Sequence, residues 1–154
     1  MTLRYLTLEG YPSRETAERI CAIPSDAARF PIETFERRLK HQYRILGCFC
    51  LDEDNLVAYK IGYESRPKYF ESWMGAVEPA HRRNGIARQL LTLQHQWCID
   101  NGYRFITTIT DASNRAILIL NLQEGFIVSG TLNDRGENHQ VLLQKEINIE
   151  EEGV

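Results

Sequence analysis

The stretch VEPAHRRNGIARQLL, residues 77–91, joins the end of an apolar strand to the beginning of a helix. A helix begins with up to four main-chain N–H groups that have no partner inside the helix, and with the positive end of the helix dipole. Gly85 stands at this point, and a glycine lets an anion approach the main chain without meeting a β-carbon. Arg82 and Arg83 add positive charge beside it. The stretch therefore has the ingredients of a phosphate-binding loop.

The two best-known phosphate-binding motifs do not match this stretch. No Gly-Lys-Ser or Gly-Lys-Thr follows Gly85, so the stretch is not a P-loop. The second and third glycines of the dinucleotide-binding fingerprint are missing, and so is its downstream acidic ribose ligand. One alternative stays open, in which the stretch is an ordinary strand-to-helix turn and Arg82 and Arg83 are simply solvated.

Apolar patterns on both sides of the stretch predict the other elements. Ile86, Leu90 and Leu93 recur at helical spacing, and Asn101 with Gly102 ends that helix. Runs of aromatic and β-branched residues predict strands, with hairpin turns at 52–54 and 133–136. The predicted strands are 3–10, 43–51, 55–65, 69–77, 103–110, 126–133 and 139–147, and the predicted helices are 13–23, 31–42, 86–100 and 114–122. This order predicts an α/β (α+β) fold with mixed strand directions, followed by an acidic tail that frays after Ile149.

Composition sets limits on partners and on domain count. The 154 residues are 43% hydrophobic and carry a net charge of −3, which fits one domain, residues 1–154, with a core of its own. Nucleic-acid-binding proteins usually have a basic excess, so no nucleic-acid partner is expected. No apolar run approaches the roughly 18 residues of a membrane helix and the first residues do not resemble a secretory signal, so no membrane partner is expected. The four cysteines lack metal-ligand spacing, and we expect them to be reduced in a cytoplasmic protein without a bound metal.

Two blocks of the sequence resemble motifs A and B of the GNAT N-acetyltransferase superfamily. The core of motif A is Arg/Gln-x-x-Gly-x-Gly/Ala, to which Arg82-x-x-Gly85-x-Ala87 is similar. Motif B is a helix that begins with Asn and ends in Gly-Phe, as residues 114–126 do, and one helix and one strand fit between the blocks. The resemblance implies a GNAT-like sheet that is mixed, mostly antiparallel, of about six to seven strands, flanked by about four helices and splayed at strands 4 and 5.

The resemblance also implies acetyl-CoA, or another acyl-CoA, as the donor. In the family, amides of the motif A loop hold the pyrophosphate of CoA, and the preceding strand pairs with the pantetheine arm. The cofactor-binding residues expected from this are Gly75, Ala76, Val77, Arg82, Arg83, Asn84, Gly85, Ile86, Ala87, Asn114 and Asn121. The family's strand bulge is expected at Gly75 and Ala76, where a main-chain N–H would also polarise the thioester carbonyl. Asn114 has a second expected role as a helix cap.

Glu71 is the expected general base. Counting back from Arg82, it falls where several family members place a base on the strand. Strict alternation would point Glu71, Trp73 and Gly75 to one side, into the splayed slot. A partly buried carboxylate beside Trp73 and Phe70 would have a raised pKa, which suits proton transfer near neutrality.

Other roles for these carboxylates stay open. Glu71 could instead face solvent or pair with a lysine such as Lys68. Glu78 or Glu64 could act as the base through a bound water.

The expected acid is missing. Many family members have a tyrosine four residues before the Gly of Gly-Phe, and this chain has Asn121 there. An amide can hydrogen-bond to sulfur but is not a proton donor of acid strength. Either the thiolate leaves unassisted or with a proton from water, or Tyr103, Tyr63 or another hydroxyl replaces the tyrosine. A further alternative is a noncatalytic acyl-CoA-binding or sensing module.

The sequence therefore predicts an acetyl-CoA-dependent N-acetyltransferase that acts on a primary amine by direct attack, without a covalent enzyme intermediate. A small-molecule amine and a peptide amine are both open as acceptors. A homodimer is one candidate assembly, and the length of the acyl group is also open.

Overall fold

The fold is organised around a seven-stranded sheet, seen in a computed structural model that describes residues 1–24, 31–134 and 138–148. The strands are β1 (Leu3–Glu9), β2 (Tyr43–Asp52), β3 (Asn55–Arg66), β4 (Tyr69–Val77), β5 (Phe105–Asp111), β6 (Ile127–Asp134) and β7 (Asn138–Glu146). The helices are α1 (Arg14–Ala22), α2 (Ile32–Leu39), α3 (Ile86–Asp100) and α4 (Arg115–Gln123), and a 3₁₀ turn (Pro79–His81) precedes α3. The predicted turn at 133–136 lies partly outside the described residues, and the acidic tail after Ile149 lies wholly outside them.

The strand order is β1-β2-β3-β4-β5-β7-β6. Within the described residues, β4 and β5 pair in parallel, and every other pair of neighbours is antiparallel. The parallel pair needs a long crossover, which α3 provides. The mixed, mostly antiparallel sheet with four helices is the predicted fold, and the prediction is confirmed.

The central strands β2 and β3 are buried on both faces. Cys48 and Cys50 of β2 point to the face covered by α3 and α4, whereas Phe49 and Leu51 point to the face covered by α1 and α2. Successive side chains of a strand point to opposite faces, so a strand covered on both sides is apolar throughout. This explains the continuous apolar run of β2 and places both cysteines on one face, as their spacing predicts.

The bulge in β4 lies at Trp73, so the prediction of Gly75 and Ala76 was wrong. The β3 residues Ile61 and Gly62 pair with the residues on either side of Trp73, which is left as the extra residue. The close approach is allowed by the glycine of β3. A β-carbon on Gly62 would lie 2.4 Å from the carbonyl oxygen of the β4 strand that it faces. The glycine that permits the bulge is therefore on the neighbouring strand.

The bulge changes which way the end of β4 faces. Trp73 and Met74 both pack against the α1–α2 face. Gly75 pairs with Lys60 and shares its face, the one toward α3. Glu71 and Trp73 thus share a face as predicted, but Gly75 does not share it with them.

Strands β4 and β5 separate after a short ladder. Residues 69–72 pair with residues 105–108, and the last rung carries a 2.9 Å hydrogen bond from Thr108 Oγ1 to the Ser72 carbonyl oxygen. Beyond this rung β4 continues along β3, while β5 continues along β7. The splay opens a gap between the two strands at the end where the 77–91 stretch begins, as predicted for strands 4 and 5. None of the described helices is long and apolar enough to cross a membrane.

Candidate functional site

The stretch after β4 forms a tight loop that ends at the first turn of α3. The main chain of Arg83 has a φ of 65°, and Gly85, the residue before the helix, has a φ of 73° and a ψ of 11°. Asn84 fixes the loop from inside, because its Nδ2 donates to the carbonyl oxygens of His81 at 3.1 Å and Arg82 at 3.2 Å. Two residues with positive φ, one on each side of the anchored Asn84, turn the main chain sharply into α3.

The amides at the beginning of α3 are not capped by a side chain. Gly85 occupies the capping position, and no side chain in the described part of the chain closes this end of the helix with a hydrogen bond. Apart from its two chain neighbours, no described residue has an atom within 4 Å of the place where a β-carbon of Gly85 would stand. Arg83 and Gly85 are exposed, and the Arg82 Nε donates to the Val77 carbonyl oxygen at 3.2 Å. The main-chain amides of this turn, which have no side-chain cap among the described residues, fit the diphosphate of a CoA-type ligand in charge and in access.

His81 holds the base of this loop, a role that sequence reasoning missed. Its Nε2 lies 2.9 Å from Asp52 Oδ2 and its Nδ1 lies 3.2 Å from Glu78 Oε2, and its side chain is only 15% exposed. The partner Asp52 is at the end of β2, far away in sequence. Only the fold could show that His81 is a half-buried link between strand and loop.

The gap between β4 and β5 is a cleft of about 560 Å³, which we call the β4–β5 cleft. It extends from the loop toward the α1–α2 face. Its lining residues include Lys60, Glu71, Gly75, Asn114, Asn121 and Gln140. The expected strand residues Ala76 and Val77 and the helix residue Ala87 line it as well.

Glu71 lies in the cleft, and its carboxylate accepts a hydrogen bond from Thr107 Oγ1 of β5. Burial raises the pKa of Glu71, and the bond from Thr107 opposes that shift to a smaller extent. The expectation of a raised pKa is therefore met. Lys68 bonds elsewhere, because its Nζ donates to the Gly102 carbonyl oxygen.

The alternative carboxylates do not line the cleft. Glu78 lies in a separate shallow depression beside His81. Glu64 lies near the Tyr103 hydroxyl, in the part of β3 beyond the cleft. Of the three carboxylates considered from the sequence, the cleft contains Glu71 alone.

Asn114 and Asn121 enter the cleft from α4. Asn114 caps the helix, since its Oδ1 accepts from the Ile117 amide at 3.4 Å. This confirms the capping role expected for it. Asn121 is 3% exposed, two residues beyond the middle of the helix, and lines the cleft.

The two tyrosines considered as acids lie in different places. Tyr103 is buried in an aromatic cluster with Phe70 and Trp97 and does not reach the cleft. Tyr63 does line the cleft, on the same face as Trp73, with its ring 6.2 Å from the Trp73 ring. Burial and the nearby Glu71 carboxylate raise the pKa of Tyr63.

Two basic residues acquire roles that the sequence did not indicate. Arg88 joins α3 to α4. Its Nη2 donates to Gln123 at 2.7 Å and its Nε lies 3.1 Å from the Glu124 carboxylate. Lys60, on β3, lines the cleft instead of facing solvent. Among the described residues, no group of His, Cys, Asp and Glu is arranged to hold a metal ion.

Comparison with known proteins places these features in a family. The family model described as the acetyltransferase (GNAT) family matches residues 13–119, well over half of the chain. A search of curated proteins finds no match.

Solved structures share the fold at low sequence identity. The ribosomal-protein-S18-alanine N-acetyltransferase from Escherichia coli is 17% identical, with a TM-score of 0.82 over 97% of this chain and 99% of that one. Ard1 from Thermoplasma volcanium is 12% identical, with a TM-score of 0.77 over 93% and 99%. A chain of the NatC complex bound to Gag peptide and CoA is 17% identical, with a TM-score of 0.76 over 96% and 100%. The match of the family model over residues 13–119, on a fold that these acetyltransferases share, shows that the chain belongs to the acetyltransferase (GNAT) family.

Proposed function

We propose that this protein is an acetyl-CoA-dependent N-acetyltransferase that transfers the acetyl group directly to a primary amine. The observation that carries the proposal is that one cleft joins the first turn of α3 to Glu71. The uncapped first turn of α3 lies at one end of the β4–β5 cleft, and the half-buried Glu71 lies in the same cleft. Acetyl-CoA bound at the first turn of α3 would thus extend along the cleft toward Glu71.

The loop and cleft divide the binding of the donor between them. The amides of residues 83–87 would hold the diphosphate, because they have no side-chain cap and Gly85 leaves open space in front of them. The edge of β4 beyond Ser72 has no partner on β5, which leaves main-chain groups of Gly75, Ala76 and Val77 for the pantetheine arm. Acetyl-CoA would supply an acetyl thioester, which is already activated for acyl transfer.

Glu71 would take the proton from the attacking amine, directly or through a water. Its raised pKa brings it closer to neutrality, and its bond from Thr107 fixes one carboxylate oxygen. The acceptor amine would enter from the α1–α2 face, where Tyr63 and Trp73 also line the cleft. We infer no acceptor beyond a small-molecule amine or a peptide amine.

We further propose that residues 1–154 form one N-acetyltransferase-like domain, since strands from Leu3 to Glu146 share a single sheet. All four cysteines are free, which agrees with reduced thiols in a cytoplasmic protein. Location and homodimer formation stay predictions.

The test is acetyl transfer from acetyl-CoA to a panel of small amines and short peptides with free N termini. Release of the CoA thiol measures the rate of transfer. Mass spectrometry of the acceptor identifies N-acetylation. Transfer to at least one amine with a normal amide product supports the proposal.

The second candidate is a noncatalytic acyl-CoA sensor, favoured by the buried Asn121 in place of a hydroxyl. Tight, saturable binding of acetyl-CoA without transfer to any amine in the panel would decide for the sensor. Absence of CoA binding would overturn both candidates.

A further inference from the structure

Lys60 is a basic residue that lines the floor of the β4–β5 cleft. It lies on β3, opposite Gly75 of β4, on the sheet face covered by α3. A β-carbon on Gly75 would stand 3.6 Å from Lys60 Cγ, so the bare glycine leaves the stem of the lysine open to the cleft. Asn121 lines the same cleft from α4. Lys60 and Asn121 therefore line the same cleft, one from the sheet and the other from α4.

No anion is paired with Lys60 among the described residues. Neither a hydrogen bond nor an ion pair of its ammonium occurs among residues 1–24, 31–134 and 138–148. Burial lowers its pKa, and Cys48 opposes this to a smaller extent. Lys60 is half-buried and lines the cleft, so its ammonium can meet a negatively charged atom that a ligand brings there.

The other titratable groups around Lys60 stay in one state near neutral pH. Burial raises the pKa of Cys48 on β2 to about 12 and keeps this thiol protonated. Burial also raises the pKa of Cys98 on α3. Burial, with Lys145 of β7 and Lys60 itself, lowers the pKa of His95 on α3 to about 3, so His95 is neutral. Lys145 Nζ is 3.3 Å from His95 Nδ1, which gives Lys145 a partner that Lys60 lacks.

Two carboxylates also line the cleft. Asp111 lies at the far end of β5, and Glu71 lies on the stretch of β4 that faces α1 and α2. Neither forms an ion pair with Lys60 among the described residues. Proton transfer on the α3 side of the cleft is thus left to Lys60.

We propose that Lys60 donates the proton to the sulfur that leaves the acetyl group, in the place where Asn121 offers no acidic hydroxyl. The inference rests on the proposed acetyltransferase function. It places the two proton transfers, one from the amine and one to the sulfur, on opposite faces of the sheet. Glu71 serves the amine on the α1–α2 face, and Lys60 serves the sulfur on the α3 face.

The step balances in atoms and electrons. The nitrogen of the neutral amine forms a bond to the acetyl carbon and gives up one proton to Glu71. The carbon–sulfur bond breaks, and its electron pair stays on sulfur, which takes one proton from Lys60. Glu71 then releases its proton to water and Lys60 regains one from water, so the net products are an amide and a thiol.

A buried lysine is chemically suited to this task. A thiol has a pKa of about 8.5, well below that of a free lysine, and transfer is most efficient when donor and acceptor are matched. The lowered pKa of Lys60 brings the two closer. While still protonated, its charge also stabilises the negative sulfur in a site of low dielectric constant.

The direct test measures the ionisation of the CoA thiol when CoA is bound, from the ultraviolet absorbance of the thiolate as a function of pH. In the wild type we expect the bound thiol to ionise at lower pH than free CoA. In Lys60→Met, which keeps the length of the side chain, this shift should disappear. Desulfo-CoA, which lacks the sulfur, should bind wild type and variant within about twofold of each other. Equal thiol ionisation in both proteins would overturn the inference.

The matched control is Lys145→Met, which removes the neighbouring half-buried cation that has His95 as a partner. We expect it to leave the ionisation of the bound thiol unchanged. An equal effect of both variants would mean that general positive charge, not Lys60, is responsible.

Activity supplies a second, separate readout. Lys60→Met should lower kcat by about 10²-fold, as for loss of a general acid, and remove the fall in rate at alkaline pH. If wild type transfers acetyl groups and the variant keeps both its rate and its alkaline fall, the role of Lys60 is wrong and the function stands. If wild type binds CoA but transfers to no amine, the proposed function fails, while the thiol ionisation still reports on Lys60.

Discussion

Thr107 of β5 donates a hydrogen bond to the carboxylate of Glu71 on β4, across one of the last rungs before the two strands separate. Two opposite influences therefore set the pKa of Glu71. Burial raises it and is the larger, and the bond from Thr107 lowers it. The hydrogen bond between the paired strands β4 and β5 therefore influences the base strength of the Glu71 carboxylate in the cleft.

Replacing Thr107 by Val is expected to raise the pKa of Glu71 further, because it removes the influence that lowers it. The ionised carboxylate is the form that accepts a proton. The acidic limb of kcat/KM against pH should thus move to higher pH, while the plateau changes little. The measurement is the pH–rate profile of wild type and Thr107→Val with one acceptor.

Glu71→Gln is the companion variant. It should lower the plateau by about 10²–10⁴-fold and abolish the acidic limb. Should the limb stay at the same pH in all three proteins, another group titrates there and Glu71 is not the base.

The ionised form of Glu71 should also lower the free energy of unfolding near neutral pH. Its pKa in the folded state lies above its ordinary value of 4.5, so the fold favours the protonated form. The stability from this preference is present in full below the unfolded-state pKa and is lost as pH rises through the folded-state pKa. Glu71→Gln cannot ionise. The free energy of unfolding of the variant minus that of the wild type should therefore be larger near neutral pH than at acidic pH.

Urea unfolding of both proteins at the two pH values measures that difference. A difference that does not depend on pH would show that Glu71 titrates alike in the folded and unfolded states.

The sequence was sufficient for the elements and for the position of the turn before α3, because local rules decide them. The apolar spacing of α3, its end at Asn101 and Gly102, and the turn at Gly85 depend on residues that are close in the chain. Asn114 caps α4 for the same local reason. These features were predicted at the right positions.

Long-range packing decided what the sequence could not show. The bulge lies at Trp73 because Gly62, on another strand, admits the close approach. His81 is held by Asp52 from a distant strand. Lys60 faces the cleft although a lysine on a strand suggests solvent, since only the sheet order reveals that both faces of β3 are covered.

Gly85→Asp is expected to weaken CoA binding by about tenfold or more. The side chain has room, since no atom lies within 4 Å of the β-carbon position, but its charge would stand beside the diphosphate at the positive end of α3. The measurement is the dissociation constant of CoA by calorimetry, at low and at moderate salt, where screening should reduce the loss.

Gly85→Asn is the matched control, because asparagine tolerates the left-handed conformation and has no charge. It should bind CoA more tightly than Gly85→Asp. Equal affinities of the two variants would attribute the loss to the main chain instead of to charge, and wild-type affinity in both would remove the loop from the site.

Gly62→Ala should destabilise the protein by roughly 1–3 kcal/mol, as overpacked cores do. The new β-carbon would lie 2.4 Å from the Glu71 carbonyl oxygen and 2.5 Å from the Phe70 ring, so β4 has to shift. Gly130→Ala is the control, since nothing lies within 4 Å of its β-carbon position, and it should stay within about 0.5 kcal/mol of wild type. Chemical unfolding measures both, and equal effects would show that the bulge does not depend on Gly62.

Asn114→Ala separates the two roles expected of one residue. Loss of the cap on α4 should cost about 1 kcal/mol of stability. Ser13→Ala removes a comparable cap from α1, where Ser13 Oγ accepts from the Thr16 amide at 3.1 Å, and Ser13 is not among the residues that line the β4–β5 cleft. Both variants should lose similar stability.

The affinity for CoA then distinguishes the two caps. If Asn114 also contacts the pantetheine arm, Asn114→Ala should weaken CoA binding severalfold, whereas Ser13→Ala should leave it unchanged. Because the two variants are matched in stability, the difference in dissociation constants isolates the contact from the cap. Identical affinities in the two variants would restrict Asn114 to capping and would leave the pantetheine arm to the main chain of β4.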